Sequence, residues 1–431
     1  MHLVAFPVLA ILSLFSAPAA AAEAVTNCDR LAASPDDPKR NAPAVEFNRI
    51  KGAAAEAACR SAVKASPDVA RFQFELGRAL DAEEQYDQAM TAYQAAFAKG
   101  YAAAADAIGV LYQQDSGPGV DYAKAAKFYQ LAIDAGDLFA ASDLALLHED
   151  GKGFEKSTKA AAPLFRKAAE AGYPPAQVGL GYLYEYGDGV EKDAHQAVDW
   201  YRKAADQGFA DGEFDLALMY RDGSGVEKNV EEAIRLLRLS ADQDDGNAIL
   251  ELARYARDGT GMAIDQTQAE KLFRRVIDSG DDDTVWRAED ELALMFAKDG
   301  RNLDEAAKLA GKAVEALPEE GEDRSSALDA SAWVTHLRHE DAKALPLAEK
   351  AIKGDNQYAP YHDHLGDILL ALGHKDRAAT EWQKALDLDP PDPADDWDRE
   401  AVVKKLAAFA SEKPREQEVA DPNAPTIGLV R

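Results

Sequence analysis

The chain has 431 residues, of which 47 % are hydrophobic, and its 77 acidic and 48 basic side chains give a formal net charge of −29 at pH 7. This apolar content excludes a disordered chain, and the length allows two or three domains or one long stack of small units. The negative charge argues against nucleic acid, which needs a basic stripe, and against an anionic membrane surface. A soluble protein, or one with a cationic partner, is compatible with it.

The first predicted element is an apolar segment at the N-terminus. It runs from Leu3 to Phe15 and is followed by Ala19–Ala22, where Ala20 and Ala22 fit the A-x-A pattern of a cleavage site. The run is too short to span a bilayer comfortably. We therefore expect residues 1–22 to be a signal peptide, with export across the inner membrane to the periplasm or the extracellular space.

A short N-terminal cap segment, residues 23–67, contains both cysteines of the chain, Cys28 and Cys59. In an oxidising compartment such a pair most simply forms one disulfide. Closing this loop would contribute about 3 to 4 kcal/mol in the chain-entropy model and would tie the cap to the first repeat. A metal site or a thiol nucleophile would call for a nearby histidine, and the segment has none.

The central part of the chain repeats every 36 residues. Each copy predicts a first helix that carries Leu-Gly or Leu-Ala and then an aromatic residue, a glycine turn, and a second helix. A period of this length indicates stacked two-helix units that bury their apolar faces against their neighbours. The five copies are residues 101–136, 137–172, 173–208, 209–244 and 245–280.

The helix ends carry their own signals. Four turns contain Gly-x-Gly, for example Gly187 and Gly189, and glycine adopts a positive φ at no steric cost. Glycine also closes the second helix in every copy but the fourth, where Asp244 stands. A side chain that can cap an N-terminus precedes each second helix. These capping residues are Asp121, Ser157, Asp193, Asn229 and Asp265.

Shorter patterns of 34 residues flank the five copies. They cover residues 68–100 and, with a degenerate helical pair over 325–354, residues 281–392. The segment 393–412 predicts a polar helix that caps the stack. The remaining residues, 413–431, predict a disordered tail.

The motifs LG-x-LY, G-x-GV and aromatic-x₂-AA-x₂-G, best seen in Tyr173–Gly208, resemble the Sel-like repeat family. The flanks resemble tetratricopeptide repeats, and together the motifs cover about 320 of the 431 residues. The clearest tetratricopeptide positions are His362, Leu365, Gly366, Leu369, Ala378, Trp382, Ala385 and Pro390. The resemblance implies an all-α fold, an α/α superhelical solenoid, with adaptor or regulatory roles. Cysteine-rich members assigned to β-lactam binding or hydrolysis have a cysteine pair in each repeat, and these repeats have none.

No constellation of catalytic residues emerges, and we predict no enzyme, no cofactor and no metal. The candidates for a metal are four histidines, His336, His339, His362 and His364. Against a shared site, His362 occupies a core position and points to a different face from His364. The run Asp281–Asp283 lacks the glycine and the terminal glutamate of a calcium loop, so we expect a solvated turn.

The register also predicts a binding groove. First helices line the concave face of such stacks, and their variable positions form the groove. Aromatic and arginine residues are the usual anchors of protein interfaces. The alternative is that the solenoid curls tightly enough to bury these apolar residues. The predicted groove residues are Phe74, Arg78, Val178, Tyr182, Phe214, Leu218, Arg221, Arg254 and Arg257.

We therefore predict an exported repeat scaffold, adaptor or regulator that binds a protein or peptide. An envelope signalling protein is one candidate partner. The groove arginines favour an acidic, partly apolar peptide. The alternative is a secreted hydrolase or small-ligand-binding protein related to cysteine-rich Sel-like repeat proteins.

Overall fold

A computed structural model of the chain describes residues 25–35, 40, 42–115, 119–280, 282–319, 321–388 and 397–412. Over these residues it forms 21 α-helices and a 3-10 helix, and none of the described residues lies in a strand. The predicted all-α solenoid of tandem helix pairs is confirmed. The predicted signal peptide, 1–22, and the predicted tail, 413–431, lie outside the described residues. The chain divides into two compact units, residues 1–228 and 229–431.

In the first unit, helices that follow one another in the chain pack against one another. A 3-10 helix, Phe47–Arg49, lies between α1 and α2. The helices are α1 (Asn27–Ala32), α2 (Gly52–Ala65), α3 (Ala70–Asp81), α4 (Tyr86–Ala98), α5 (Ala103–Leu111), α6 (Tyr122–Asp134), α7 (Ala140–Asp150), α8 (Thr158–Glu170), α9 (Pro174–Tyr186), α10 (Ala194–Ala205) and α11 (Ala210–Asp222).

The second unit continues the alternation of first and second helices. Its helices are α12 (Val230–Ala241), α13 (Gly246–Asp258), α14 (Gln266–Ser279), α15 (Asp282–Lys298), α16 (Leu303–Ala316), α17 (Glu322–Leu337), α18 (Asp341–Gly354), α19 (Ala359–Ala371), α20 (Lys375–Asp387) and α21 (Arg399–Glu412).

The predicted N-caps of the second helices are confirmed. Each side chain accepts a hydrogen bond from a backbone N–H in the first turn, as Ser157 does from Ala160. This satisfies a donor that has no partner inside the helix. The capping residues are Asp121, Ser157, Asp193, Asn229 and Asp265.

The two glycines of each turn have different roles. The first, such as Gly187 with φ 81°, ends the first helix in the left-handed region. The second touches the preceding repeat, because a Cβ on Gly189 would lie 2.5 Å from the carbonyl oxygen of Thr158 at the start of α8. Asp244, which stands where the other copies have glycine, keeps the same backbone shape with φ 65°.

A glycine in the first helix also lets a tyrosine of the second helix approach. A Cβ on Gly181 would lie 2.6 Å from Cε1 of Tyr201, a buried ring whose hydroxyl donates to Glu185 at 2.8 Å. In the second copy the equivalent positions are Ala145 and Phe165, both buried. Leu-Gly therefore accompanies a tyrosine in the third copy, and Leu-Ala accompanies a phenylalanine in the second.

The N-terminal segment is tied to α3 by three kinds of contact. The predicted disulfide between Cys28 and Cys59 is present, and both residues are buried. Asp29 forms an ion pair with Arg71 of α3 at 2.6 Å. Arg78 of α3 donates to two backbone carbonyls of the segment. This segment is therefore an integral cap of the first unit.

The C-terminal flank departs from the sequence reading at two places. Asp281 is outside the described residues, but Asp283 lies in the first turn of α15 and not in a solvated turn. Acidic residues are favourable there because they face the positive end of the helix dipole. The closing helix α21 is not wholly polar, since Val402 is buried in a cluster with Trp382. Its Lys405 reaches Asp363 at 2.7 Å.

Candidate partner-binding site

A patch of exposed apolar side chains lies on the first helices of the second and third copies. Leu146 on α7 is 46 % exposed, and Tyr182 and Tyr186 on α9 are 44 % and 56 % exposed. The centroids of the two tyrosine rings lie 4.5 Å apart. We call Leu146, Val178, Tyr182 and Tyr186 the α7–α9 patch.

A shallow cavity of about 360 Å³ lies within the patch. Residues of α7 form one side of it, residues of α9 form the other, and Phe165 of α8 contributes to its lining. The lining residues are Ser142, Leu146, Glu149, Phe165, Pro175, Val178, Gly179, Tyr182 and Asp211.

The helix period explains why these side chains are exposed. The core stripe of α7 includes Leu147 and that of α9 includes Leu183, which are 1 % and 0 % exposed. Each residue advances the helix by about 100°, so the preceding residues, Leu146 and Tyr182, point away from that stripe. The patch is thus a second apolar face on helices whose first apolar face is already buried.

The patch is bordered by acidic groups. Glu149 at the end of α7 lines the cavity, as does Asp211 at the start of α11. Burial raises the pKa of Glu149, and the nearby carboxylates of Asp150 and Asp188 raise it further. A cation placed here would relieve the like-charge repulsion.

Two predicted groove residues lie in the interior instead. Phe74 is 4 % and Arg78 is 6 % exposed. The guanidinium of Arg78 donates to the carbonyl oxygens of Ala32 at 2.8 Å and Val45 at 3.1 Å. Arg78 is covered because the N-terminal cap packs over the first helix α3, whereas Phe74 packs against the rings of Tyr93 and Tyr101. The repeat register alone indicates neither contact.

The predicted apolar groove residues differ in exposure. Tyr182 belongs to the α7–α9 patch and is exposed, and Val178 is half-buried beside it. Phe214 and Leu218 of α11 are also half-buried. Their assignment to a partner groove stays a prediction.

The other three predicted groove arginines, Arg221, Arg254 and Arg257, are engaged with carboxylates of their own chain. Arg221 donates through Nε to Asp222 at 2.7 Å. In the second unit Arg254 donates through Nε to Glu291 at 2.7 Å, and Arg257 donates through Nη1 to the same carboxylate at 2.9 Å. Each of these three guanidinium groups therefore already has a carboxylate partner within the chain.

Sequence reasoning missed two members of the patch. Leu146 lies 36 residues before Tyr182 and so occupies the same position of its first helix. Tyr186 follows Tyr182 by four residues, the spacing that places two side chains on one helix face. That spacing was a usable signal.

The histidines considered for a metal each have a different environment. His362 lies 2.7 Å from Glu381, and His364 lies 2.7 Å from Asp329. The ring of Trp333 stacks on His364 with 4.3 Å between centroids. His336 pairs with Asp341.

The described residues contain no helix long and apolar enough to cross a membrane.

Comparison with known proteins agrees with the repeat assignment. The Sel1 repeat family matches five consecutive segments: residues 102–137, 138–173, 174–209, 210–245 and 246–281. The boundaries differ by one residue from the copies defined by the 36-residue period. No curated protein matches the chain.

Two solved structures are similar to this chain. One is a protective antigen present in uropathogenic Escherichia coli strains that displays an SLR fold. It is 25 % identical, with 77 % of this chain and 79 % of that chain covered and a TM-score of 0.56. The other is a Sel1 repeat protein from Oxalobacter formigenes. It is 29 % identical, with 57 % of this chain and 100 % of that chain covered and a TM-score of 0.52.

Proposed function

We propose that this chain, in which residues 102–281 are five tandem Sel1 repeats, is an exported scaffold that binds a partner protein through the α7–α9 patch. Sel1 and tetratricopeptide repeats generally mediate protein–protein contacts. The partner contributes a partly apolar, basic segment.

The exposure of Leu146, Tyr182 and Tyr186 carries this proposal. Large apolar side chains that cluster on a surface and surround a cavity usually mark an interaction site. Tyrosine is among the residues most often found as an energetic anchor of interfaces, because it offers a large rigid surface with a polar end. Such a cluster on adjacent first helices suits an extended or helical segment of a partner.

The negative charge around the patch determines which kind of partner segment it binds. Glu149 and Asp211 border the patch, and the whole chain carries a net charge of −29. Lysine or arginine side chains of the partner would therefore gain favourable contacts at the rim and would be steered toward it. Because steering by surface charge is screened by salt, association should slow as the ionic strength rises.

The disulfide supports the exported location. Cys28 and Cys59 form one bond, and structural disulfides persist in oxidising compartments. Protein taken from producing cells and treated with a thiol-reactive maleimide before reduction should remain unlabelled. Fractionation beside a cytoplasmic marker should place it outside the cytoplasm. Two reactive thiols, or co-fractionation with that marker, would contradict export.

A peptide selection tests the binding function. The full chain is used to select from a random dodecapeptide library displayed on phage, and the variants Leu146→Ser and Tyr182→Ser are compared with the parent. Enriched peptides should combine aromatic or aliphatic residues with lysine or arginine. Each variant should lose about 2 kcal/mol of affinity, as expected for an interface anchor.

Leu239→Ser is the matched control, because Leu239 is 40 % exposed on the second helix α12. It should bind selected peptides like the parent, and all variants should show the same helical circular dichroism. Enrichment of acidic peptides would overturn the charge argument. Unchanged affinity of both patch variants would overturn the site.

A further inference from the structure

A histidine and a buried carboxylate connect two first helices of the second unit. Nδ1 of His364 on α19 lies 2.7 Å from Oδ2 of Asp329 on α17. Asp329 is 5 % exposed, and its Oδ1 has no hydrogen-bond partner among the described residues. A buried carboxylate with a single partner is stabilised most when that partner carries a positive charge.

The ring of His364 also stacks on an indole. The centroids of the His364 and Trp333 rings lie 4.3 Å apart, and the two planes are inclined by 15°. Trp333 follows Asp329 by four residues, so one turn of α17 presents a carboxylate and an aromatic ring to the same imidazole. His336 lies 5.2 Å from the same indole and pairs with Asp341 of α18. We call His364, Asp329 and Trp333 together the His364 contact.

The surroundings of His364 favour its protonated form. Burial lowers the pKa of His364, but the carboxylate of Asp329 and the charges of Asp363 and Asp367 outweigh it and raise the pKa above its ordinary value of 6.5. Lys405 of α21 forms ion pairs with Asp363 and Asp367, both at 2.7 Å, and so neutralises part of their charge. Asp329 is therefore the main anion that acts on the imidazole.

The other titratable groups nearby change this picture little near neutral pH. Glu381 of α20 pairs with His362 at 2.7 Å and not with His364. Tyr361 of α19 stays neutral because burial raises its pKa. Burial, with the charges of neighbouring carboxylates, raises the pKa of Asp290 on α15 to about 8, so this group gains its charge only in alkaline solution.

We infer that the His364 contact is a pH-sensitive switch between α17 and α19, strong while the imidazole carries a proton and weaker once the proton is lost. A neutral imidazole could still donate one N–H to Asp329, but that hydrogen bond would no longer be charge-assisted. The attraction of a cation to the face of Trp333 would also be lost.

The direction of the pH dependence follows from the raised pKa of His364. The folded state binds this proton more tightly than the unfolded state does, so the contribution of the contact to stability is fully present below pH 6.5. It is lost as the pH rises through the pKa of the folded state. We therefore expect α17 and α19 to separate more often in mildly alkaline than in mildly acidic solution.

NMR titration of the full chain with carbon-13-labelled histidine rings measures the protonation of His364 directly. The signal that disappears in His364→Gln belongs to His364, and its titration midpoint should lie above pH 6.5. His374→Gln removes an exposed histidine just before α20 and should leave that signal unchanged. A midpoint at or below pH 6.5 would overturn the switch.

Hydrogen exchange at pH 6 and pH 8.5, corrected for the intrinsic exchange rates, measures the opening of the helices. Because Asp290 also titrates in this region, the comparison is made in full-length Asp290→Asn. Protection of α17 and α19 should fall about three- to tenfold between the two pH values, as expected when a charged hydrogen bond becomes neutral. Adding His364→Gln, which is neutral at both pH values, should abolish this fall, whereas adding His374→Gln should leave it unchanged.

Two results would assign the pH dependence to other groups and overturn the inference. One is an equal fall in protection with and without His364→Gln, and the other is no fall in Asp290→Asn itself. Circular dichroism should show the same helical content in every variant. The contact belongs to the second unit and the α7–α9 patch to the first, so failure of peptide binding at the patch would leave this result unaffected.

Discussion

The pKa of a buried carboxylate depends strongly on its surroundings, as Asp290 illustrates. Asp290 on α15 is 5 % exposed, and its Oδ1 has no hydrogen-bond partner among the described residues. Burial, together with the carboxylates of Glu291 and Asp329, raises its pKa to about 8. The folded chain therefore holds a proton on Asp290 at a pH where the unfolded chain, with a pKa near 3.8, does not.

The raised pKa of Asp290 determines whether the stability of the chain rises or falls with pH. Between about pH 4 and pH 8 the folded state binds more protons at this site, so the contribution of Asp290 to stability falls as the pH rises, by up to about 1.4 kcal/mol per pH unit. Asp290→Asn stays neutral throughout. Urea unfolding at pH 5, 6, 7 and 8 should show the variant gaining stability relative to the parent at each step.

Asp283→Asn is the control, because Asp283 is exposed on the same helix. Its stability difference from the parent should be nearly constant with pH. Parallel curves for the parent and Asp290→Asn would contradict the raised pKa of Asp290.

At the scale of the helix pair, the match between a glycine of the first helix and a tyrosine of the second determines the spacing between the two helices. Gly181 leaves room for Tyr201, whose ring edge would lie 2.6 Å from an added Cβ. Gly181→Ala should destabilise the chain by about 1 to 3 kcal/mol through overpacking. The third copy should then be the first region to lose protection against hydrogen exchange.

A double-mutant cycle tests whether the ring causes this loss. The second copy combines Ala145 with Phe165 at the equivalent positions. In Tyr201→Phe the ring loses the hydroxyl that binds Glu185 and can shift away from the added Cβ, so the double variant with Gly181→Ala should recover part of the stability. Thermal or urea unfolding of the parent, both single variants and the double variant gives the coupling energy. Strictly additive losses would show that the ring and the glycine act independently.

At the scale of the whole molecule, each repeat depends mainly on its neighbours. The disulfide between Cys28 and Cys59 holds the N-terminal cap, and its loss should have a local effect. The double variant Cys28→Ser with Cys59→Ser should lose about 3 to 4 kcal/mol in the first unit by the chain-entropy estimate. Hydrogen exchange should increase in α1 to α3.

The central repeats are the internal control for that experiment. Exchange in α8 to α10 should match the parent because each repeat depends mainly on its immediate neighbours. Equal loss of protection along the full chain would contradict a stack stabilised by neighbours and would indicate a single cooperative unit.

Much of the local structure could be predicted because its causes lie within a few residues. The N-caps at Ser157 and Asp193 depend on side chains next to the helix they cap. The left-handed turn at Gly187 depends on one residue that tolerates positive φ. Repetition of these signals at a constant interval also identified the stacked architecture.

The groove residues were harder to predict, because the exposure of their side chains and the pairing of their arginines depend on distant residues. Arg78 is covered by a segment about 30 to 45 residues earlier in the chain, as its contact with Ala32 shows. Arg254 and Arg257 share the carboxylate of Glu291, more than 30 residues later. The repeat register compares equivalent positions of successive copies and gives no information about such distant partners.

The sequence by itself determined the helix pairs, their caps and turns, the similarity of the five central copies to Sel1 repeats and the pairing of two cysteines, because local chemistry and period are sufficient for these. Tertiary structure decided which apolar side chains remain exposed and which arginines are already paired with carboxylates of the chain. Those properties arise when residues far apart in the chain compete for the same space and the same hydrogen bonds.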